Sequence, residues 1–408
     1  MNTGLDQYTD IFKDAVEYSA AKLTKSFEKI LIEIIILYMV IPQKINFTQM
    51  ERYGSHCEQT YRNAFGLKKS KCINWLKLNV ALAKSFFTNH GDNWAIAIDP
   101  SYISKAGKKT PHIGRFWSGC AQAVKHGLEI MGIGLIDIEA NDCIMLRAEQ
   151  TPSTKELNLR SKSLVEHYIT VIKRNKKELL KLSTLIVADA YFSTSTFANG
   201  IKKFGFDLVS RFRDNACLFY VYNGPKTGKR GRPKTKDGKI DLKNLDLTRM
   251  EKMEMEEGEG TAYTLIAYAK ALKCKVRLVI WQMPNGKQKL FFSTNISLSG
   301  KKVLLFYRTR FQIEFTFRDA KQYAGLTHCQ ARNKWKLDFG FNASFTSINV
   351  AKVTMKKMGM EYSMSSFKLL MNNIYIVNRI FRACGKAPNP TLISKIFKDL
   401  SCLQRKAA

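Results

Sequence analysis

Residues 94–99 read WAIAID and residues 184–192 read TLIVADAYF. Each is a short apolar run of Ala, Ile, Leu, Val or Trp that delivers an acidic residue, Asp99 or Asp189, at its end. Apolar runs of this length, bounded by polar residues, are the pattern of strands buried on both faces. Each aspartate is therefore expected at the C-terminal tip of a strand. If the two strands lie parallel and adjacent, the tips meet.

The intervening chain predicts how they are arranged. Residues 124–139 (VKHGLEIMGIGLIDIE) and 143–150 (CIMLRAEQ) read as two more strands, with an Asn-Asp turn signal between them. A long amphipathic stretch from about Ser153 to Leu182 reads as helix. After the run ending at Asp189 come a short helix around Ser195 to Phe204 and the strand-like FDLVSRFR of residues 206–213. The order β-β-β-α-β-α-β predicts three antiparallel strands, a helical crossover and a fourth strand parallel to the first. That is the opening of a ribonuclease H-like α/β fold.

Two carboxylates held close repel each other unless a cation lies between them. Oxygen donors without a His or Cys cluster suit Mg²⁺ or Mn²⁺. Either aspartate alone could equally end its strand by forming a turn.

A third stretch, VLLFYRTRFQIEFTFRDAKQYAG at residues 303–325, reads as one helix. Phe306, Ile313, Phe317 and Ala320 fall within an arc of about 60° and make an apolar stripe. Tyr307, Arg310, Glu314 and Lys321 fall within a second arc of about 60° beside it. Most charged helix faces are simply solvated. This one sets a single carboxylate among an aromatic ring and cations, a composition that suits a phosphate backbone. Glu314 and Lys321 stand roughly 10 Å apart along the axis, so Lys321 reaches a neighbouring phosphate rather than the one at Glu314.

The bulk properties agree. The 408 residues hold 66 Lys and Arg against 34 Asp and Glu, a formal charge of +32. A field of that sign selects polyanions, with nucleic acid foremost. The nine cysteines are odd in number, scattered and without a C-x-x-C pair. That usage argues against a disulfide framework or zinc site and for a reducing, cytoplasmic compartment. The acidic start MNTGLDQYTD lacks the features of a signal peptide. The apolar run from Ile30 to Ile41 is interrupted by Glu33 and is too short to span a bilayer, so it reads as a buried helix.

Residues 1–90 read as a helical, DNA-binding region. Within it, residues 45–65 (INFTQMERYGSHCEQTYRNAF) allow a helix-turn-helix, with Thr48 as N-cap, Gly54 at the turn and a second helix from about Ser55 carrying Gln59, Arg62 and Asn63. A plain pair of packing helices fits the same residues. The core then runs over 91–213 and resumes at 301–340 with the Glu314 helix. Between them, 214–300 reads as a mostly β insertion. It begins with the basic linker KTGKRGRPKTKDGK (226–239), either a phosphate contact or a solubilising loop, and continues through runs at 263–269, 275–283 and 289–295. Residues 341–408 read as a helical C-terminal region, including SMSSFKLLMNNIYIVNRIF (363–381) and TLISKIFKDL (391–400), able to pair subunits or to bind DNA.

The spacing of Tyr307, Arg310, Glu314 and Lys321 resembles the Tyr-x2-Arg-x3-Glu-x6-Lys signature of insertion-sequence DDE transposases of the insertion sequence four type. Asp189-Ala190-Tyr191-Phe192 also looks like that family's continuation after its second aspartate. Pro100 follows Asp99 where many members carry a polar residue, which leaves Asp92 and Asp137 as competing positions for the first carboxylate. The resemblance covers about residues 93–340. It implies a ribonuclease H-like catalytic core, a β insertion before the Glu helix, and bacterial DNA transposition by metal-dependent cleavage of transposon ends and strand transfer into target DNA. It makes Asp99, Asp189 and Glu314 the catalytic, metal-holding carboxylates and Tyr307, Arg310 and Lys321 the grip on terminal phosphates. The implied cofactor is two Mg²⁺ ions, with Mn²⁺ able to substitute, and the implied partner is double-stranded DNA bound by a homodimer.

Two metals about 3.5–4 Å apart would activate the attacking oxygen and stabilise the departing one, so no covalent protein intermediate is needed. If a hairpin step occurs, Trp281 is a candidate to stack a flipped base, with plain core packing as the other reading. Two other classes share these features: a non-transposing nuclease on the same core, and a catalytically inactive DNA-binding descendant of a transposase.

Overall fold

The computed structural model describes residues 4–19, 22–88, 91–225 and 234–385, with positions 389, 391 and 395. Most of the basic linker (226–233) and of residues 391–400 lies outside the described residues.

The chain opens with helices α1 (Gly4–Tyr18), α2 (Lys25–Val40), α3 (Phe47–Tyr53), α4 (Glu58–Ala64), α5 (Leu67–Ser70) and α6 (Trp75–Phe86). The apolar run at 30–41 is indeed a buried helix: Leu31, Ile34, Ile35 and Leu37 of α2 are inaccessible to solvent. Among the described residues no helix is long and apolar enough to cross a membrane.

The α3–α4 pair differs in detail from its sequence reading. Asn46, not Thr48, caps α3, its Oδ1 accepting from the Gln49 amide at 2.8 Å, while the Thr48 hydroxyl turns to Glu58. Ncap asparagine is at least as favourable as threonine, and here it stands two residues earlier. Helix α4 starts at Glu58 rather than near Ser55 because Glu33 of α2 accepts from the Ser55 amide and hydroxyl and pairs with His56. Those bonds hold the linker outside the helix. Gln59 bonds to Asn63, and Arg62 bonds to Glu58.

The middle of the chain contains β1 (Trp94–Ser104), β2 (Gly114–Ser118), β3 (Ala123–Asp137), β4 (Asp142–Gln150), α7 (Thr154–Leu159), α8 (Leu164–Leu179), β5 (Leu185–Val187), α9 (Ser195–Lys202) and β6 (Asp207–Arg211). The next segment holds β7 (Leu218–Val221), β8 (Lys236–Lys239), β9 (Glu251–Met253), β10 (Thr261–Ala269), β11 (Cys274–Gln282) and β12 (Gln288–Ser293). Last come α10 (Gly300–Thr309), α11 (Gln312–Tyr323), α12 (Lys334–Lys357) and α13 (Met364–Ala383).

All these strands join one mixed sheet in the order β2-β3-β1-β5-β6-β12-β11-β10-β7-β8, with β4 on β3 and β9 on β10. Strand β3 is antiparallel to both β1 and β4, and β5 is parallel to β1 and to β6. The crossover between β4 and β5 is two helices rather than the single stretch expected. Ser153 and Ser163 each form a capping box, with Glu156 and Glu166, so the second Ser-x-x-Glu starts a new helix after the chain turns at Ser161 with φ 49°. The β segment after β6 continues the same sheet, because β12 pairs antiparallel with the outer edge of β6.

Helix α12 is buried on all sides and runs across position 340, where the sequence suggested a boundary. Its polar residues have a task. Asn342 accepts from the Ala148 amide at 2.9 Å and donates to the Ala148 carbonyl at 3.0 Å. Asn349 does the same for Met145, at 3.2 and 2.7 Å. Side-chain amides on a helix thus satisfy the backbone groups of β4 that a further strand would otherwise take. Asn79 of α6 adds a bond to the Leu146 carbonyl at 3.1 Å and accepts from Asn349 at 2.8 Å.

Candidate active site

The parallel register brings the two aspartates level. Ala97 of β1 is opposite Val187 of β5, and Asp99 and Asp189 each follow two residues later. Asp99 is not at the tip of its strand, as expected, since β1 continues to Ser104 against β3. What ends there is β5. Beyond Val187 the β5 side of β1 has no ladder to fill, and Pro100, which has no amide hydrogen, sits where none is needed. Asp189 caps a short 3-10 turn, its Oδ1 accepting from the Ala190 amide.

The competing positions have other roles. Asp92 is 97% exposed. Asp137 is buried at the end of β3, where it accepts from Trp94 Nε1 at 2.9 Å and from the Glu139 and Ala140 amides, the bonds of a turn former.

Residues 303–325 form two helices, not one. At the join the amides of Phe311, Ile313 and Glu314 reach back three residues, to the carbonyls of Arg308, Arg310 and Phe311, instead of four. This tightened turn winds faster than an α-helix and swings Arg310 inward to 4% exposure. Helix α10 lies on β6, β11 and β12, and α11 lies on β1, β3 and β4. The join therefore falls at the strands that carry the aspartates. The apolar stripe is buried as read, with Phe306, Ile313, Phe317 and Ala320 all inside the core.

Arg310 draws the acidic groups together. Its Nη2 donates to Glu314 Oε1 at 2.9 Å, and its Nη1 lies 3.7 Å from Asp99 Oδ1. Burial works against its charge, yet Tyr307, Asp99, Glu314 and Asp189 together hold its pKa above the ordinary value. Asp99 is pushed up to about 7, first by burial and then by the nearby charges of Glu314 and Asp189, against the opposing pull of Arg310. Tyr307 is buried with its ring 4.9 Å from that of Phe291 and 5.5 Å from the guanidinium, so it backs Arg310 instead of facing solvent. Lys321 donates from Nζ to Ser101 Oγ at 2.9 Å, and burial lowers its pKa.

Two residues at the site were not singled out from sequence. Ser101 lies two residues beyond Asp99 and so shares its face of β1, a signal the period-2 pattern carries. Gly132 pairs with Asp99 across β3, and a Cβ there would meet Phe317 Cζ at 2.6 Å. Its missing side chain lets α11 rest directly over the strand pair.

The donors are of the kind a hard divalent cation takes: three carboxylates and no soft ligand. Among the described residues, however, no three His, Cys, Asp or Glu side chains converge closely enough to hold a metal ion. Arg310 occupies the position between Asp99 and Glu314, and its Nε and Nη1 are buried without hydrogen-bond partners. The raised pKa of Asp99 and the unpartnered donors of Arg310 mark a buried, strongly charged cluster. Glu314, with 43% of its side chain exposed, is free enough to turn away from Arg310 toward the aspartates.

Trp281 is half-buried, donating to the Glu259 carbonyl at 2.7 Å, with the Arg308 guanidinium of α10 5.9 Å from its ring. No curated protein matches the chain. Residues 152–350, just under half of the chain and including both Asp189 and Glu314 but not Asp99, match the family model of the transposase DDE domain, and that segment is transposase-like.

Proposed function

We propose that the chain is the DNA transposase of an insertion sequence, built on a ribonuclease H-like core, which cleaves the ends of its element and joins them to target DNA. The reading rests chiefly on one observation: the β1–β5 register sets Asp99 and Asp189 level, and the break between α10 and α11 places Arg310 and Glu314 beside them. The strand order β4-β3-β1-β5-β6, with three antiparallel strands followed by two parallel ones, supports the fold assignment. The match over residues 152–350 supports the class of activity.

In this reading Asp99, Asp189 and Glu314 hold the divalent cations, Mg²⁺ in the first place. With Glu314 turned toward the aspartates, cations held there would supply activation of the attacking oxygen and stabilisation of the departing 3′ oxygen. The chain's own residues do the rest. Arg310, released from Glu314, directs its orphaned donors at the phosphate being cut, with Tyr307 fixing the plane of the guanidinium. Lys321 holds the adjacent phosphate in register and is itself oriented by Ser101. Two ends must be joined in one event, so the working form on DNA is a homodimer.

The test uses a labelled duplex carrying the DNA that flanks the gene, incubated with Mg²⁺ and either wild type or Glu314→Gln. Nicking at the element's end and strand-transfer products with wild type, absent in the variant while duplex binding persists, support the proposal. A wild type that binds but never cleaves would point to a DNA-binding descendant. Equal cleavage by Glu314→Gln would sink the carboxylate assignment.

A further inference from the structure

A cavity of about 690 Å³ opens between the α3–α4 pair and the loop that follows α11. Arg62, Arg332 and Lys336 line it with the polar Asn46, Thr48 and Asn333, and Glu58 is the one carboxylate among the described lining residues. Glu58 is already engaged by Arg62 and by the Thr48 hydroxyl. Two more cations stand close by: burial lowers the pKa of Lys105, and repulsion from Lys44 and Arg332 lowers it further. Burial and the charge of Arg62 similarly lower Lys336. Arg62 is matched by Glu58, which leaves Arg332, Lys336 and the neighbouring Lys44 and Lys105 as a cationic excess at the groove, a field that favours an anion.

Its position is set by the catalytic elements themselves. The loop from Gly325 to Asn333 follows directly on the Glu314 helix, and Lys105 follows directly on β1, the strand of Asp99. Lys105 Nζ donates to the Cys329 carbonyl, tying the two together at the groove, and His328 Nδ1 accepts from the Ile45 amide at 3.0 Å, tying the loop to the helical region. From Asp99 to Lys105 the strand advances roughly 20 Å, and from Glu314 to Gly325 the helix advances roughly 16 Å. At about 3.4 Å per base pair this is roughly five or six base pairs of duplex.

We infer that this groove holds backbone phosphates of the DNA duplex about five or six base pairs inside the cut site, with Arg332 and Lys336 as the principal contacts. The helical region and the catalytic core then act as one rigid gauge for the distance between the bound segment and the phosphate that is cut. This rests on the proposal that the chain is a DNA-cutting enzyme and adds where the uncut duplex lies.

The test compares wild type with Arg332→Gln/Lys336→Gln. Arg332 is exposed and Lys336 half-buried, and thermal melting checks that the variant stays folded. Binding to a fluorescein-labelled duplex is followed by anisotropy, with EDTA present, across a range of salt. Loss of two phosphate contacts is expected to weaken binding at least tenfold at moderate salt and to reduce the slope of log affinity against log salt by about two. Ethylation of phosphates five or six base pairs inside the cut site should interfere with wild-type binding and cease to matter for the variant. If wild type binds duplex and the folded variant matches it in affinity and slope, the groove assignment is overturned while the proposed activity stands. If wild type binds no duplex at all, the proposed activity fails first and takes this inference with it. If the variant keeps its duplex affinity but loses binding to polyglutamate, the groove takes acidic protein and the inference is overturned.

Discussion

Arg310 donates from Nη2 to Oε1 of Glu314 at 2.9 Å, four residues further along the chain, while its Nη1 lies 3.7 Å from Asp99 Oδ1, so one guanidinium joins the two carboxylates. The arginine is an internal counter-ion, and under the proposed mechanism it would have to give way for a cation to bind. Replacing it with alanine leaves Asp99 and Glu314 facing each other uncompensated. Glu314 is partly solvated, so the expected loss of stability is only about 1–3 kcal/mol. Added Mg²⁺ should restore more melting temperature to Arg310→Ala than it adds to wild type. Arg310→Lys keeps the charge but loses the planar fork, and cleavage is expected to fall about 10²-fold in a single-turnover assay with duplex affinity little changed.

Asp99 gives the site a pH signature. Its folded pKa, about 7, lies above the ordinary carboxyl value of 3.8, so the folded state holds this proton more tightly than the unfolded chain. The stability this contributes is complete below about pH 4 and is lost as pH rises through 7. Asp99→Asn should therefore be more stable than wild type at pH 8, by on the order of 2–4 kcal/mol, and indistinguishable from it near pH 4. Urea midpoints measured across that range without divalent cations check the sign. Saturating Mg²⁺ should move the wild-type transition to lower pH.

Gly132 seats the Glu314 helix. A Cβ at this position would meet Phe317 Cζ at 2.6 Å and Met145 Cε at 3.2 Å, so even alanine must displace α11 or strain the core. Gly132→Val is expected to cost about 1–3 kcal/mol. It should also reduce cleavage more than duplex binding, because the displaced helix carries Glu314 but not the groove cations Arg62 and Arg332. Denaturant melts and anisotropy on the same preparation separate the two effects.

The asparagines of α12 are predicted to be as costly to lose as large core residues. Asn349→Leu leaves the buried amide and carbonyl of Met145 unpaired, and about 2–4 kcal/mol of destabilisation is expected. Asn342→Leu does the same at Ala148, and the double variant should lose more than either single one in urea melts.

Much of this was legible in the chain. Buried apolar runs announced β1, β3, β4 and β5, and the parallel placement of β5 beside β1 followed from the helical crossover between them. The apolar stripe of Phe306, Ile313, Phe317 and Ala320 was a matter of period alone. Other features were hidden for identifiable reasons. The break at Arg310–Phe311 has no Pro or Gly to mark it, and both residues keep right-handed helical angles, so a uniform 100° step could not reveal it. Strand β2 is five residues long with Trp117 turned to solvent, too short and too mixed to stand out. Nothing in the sequence singled out Asn342 and Asn349, because their partners, Ala148 and Met145, lie about two hundred residues earlier in the chain. Ser101 carried its signal openly, but only once Asp99 was known to sit in mid-strand.

The asparagine pairs have one more effect. Seven residues of helix from Asn342 to Asn349 rise about 10.5 Å, and three residues of strand from Ala148 back to Met145 cover about 10 Å. The two spacings coincide as the marks of a vernier do, at one setting only. Sliding α12 by a single residue would rotate both amides by about 100° and break four bonds at once. A helix so indexed to the sheet has no smooth way to creep, and the loop of residues 324–333 is all that separates it from α11. Glu314 is thereby referenced, through a long lever, to a mark cut into β4.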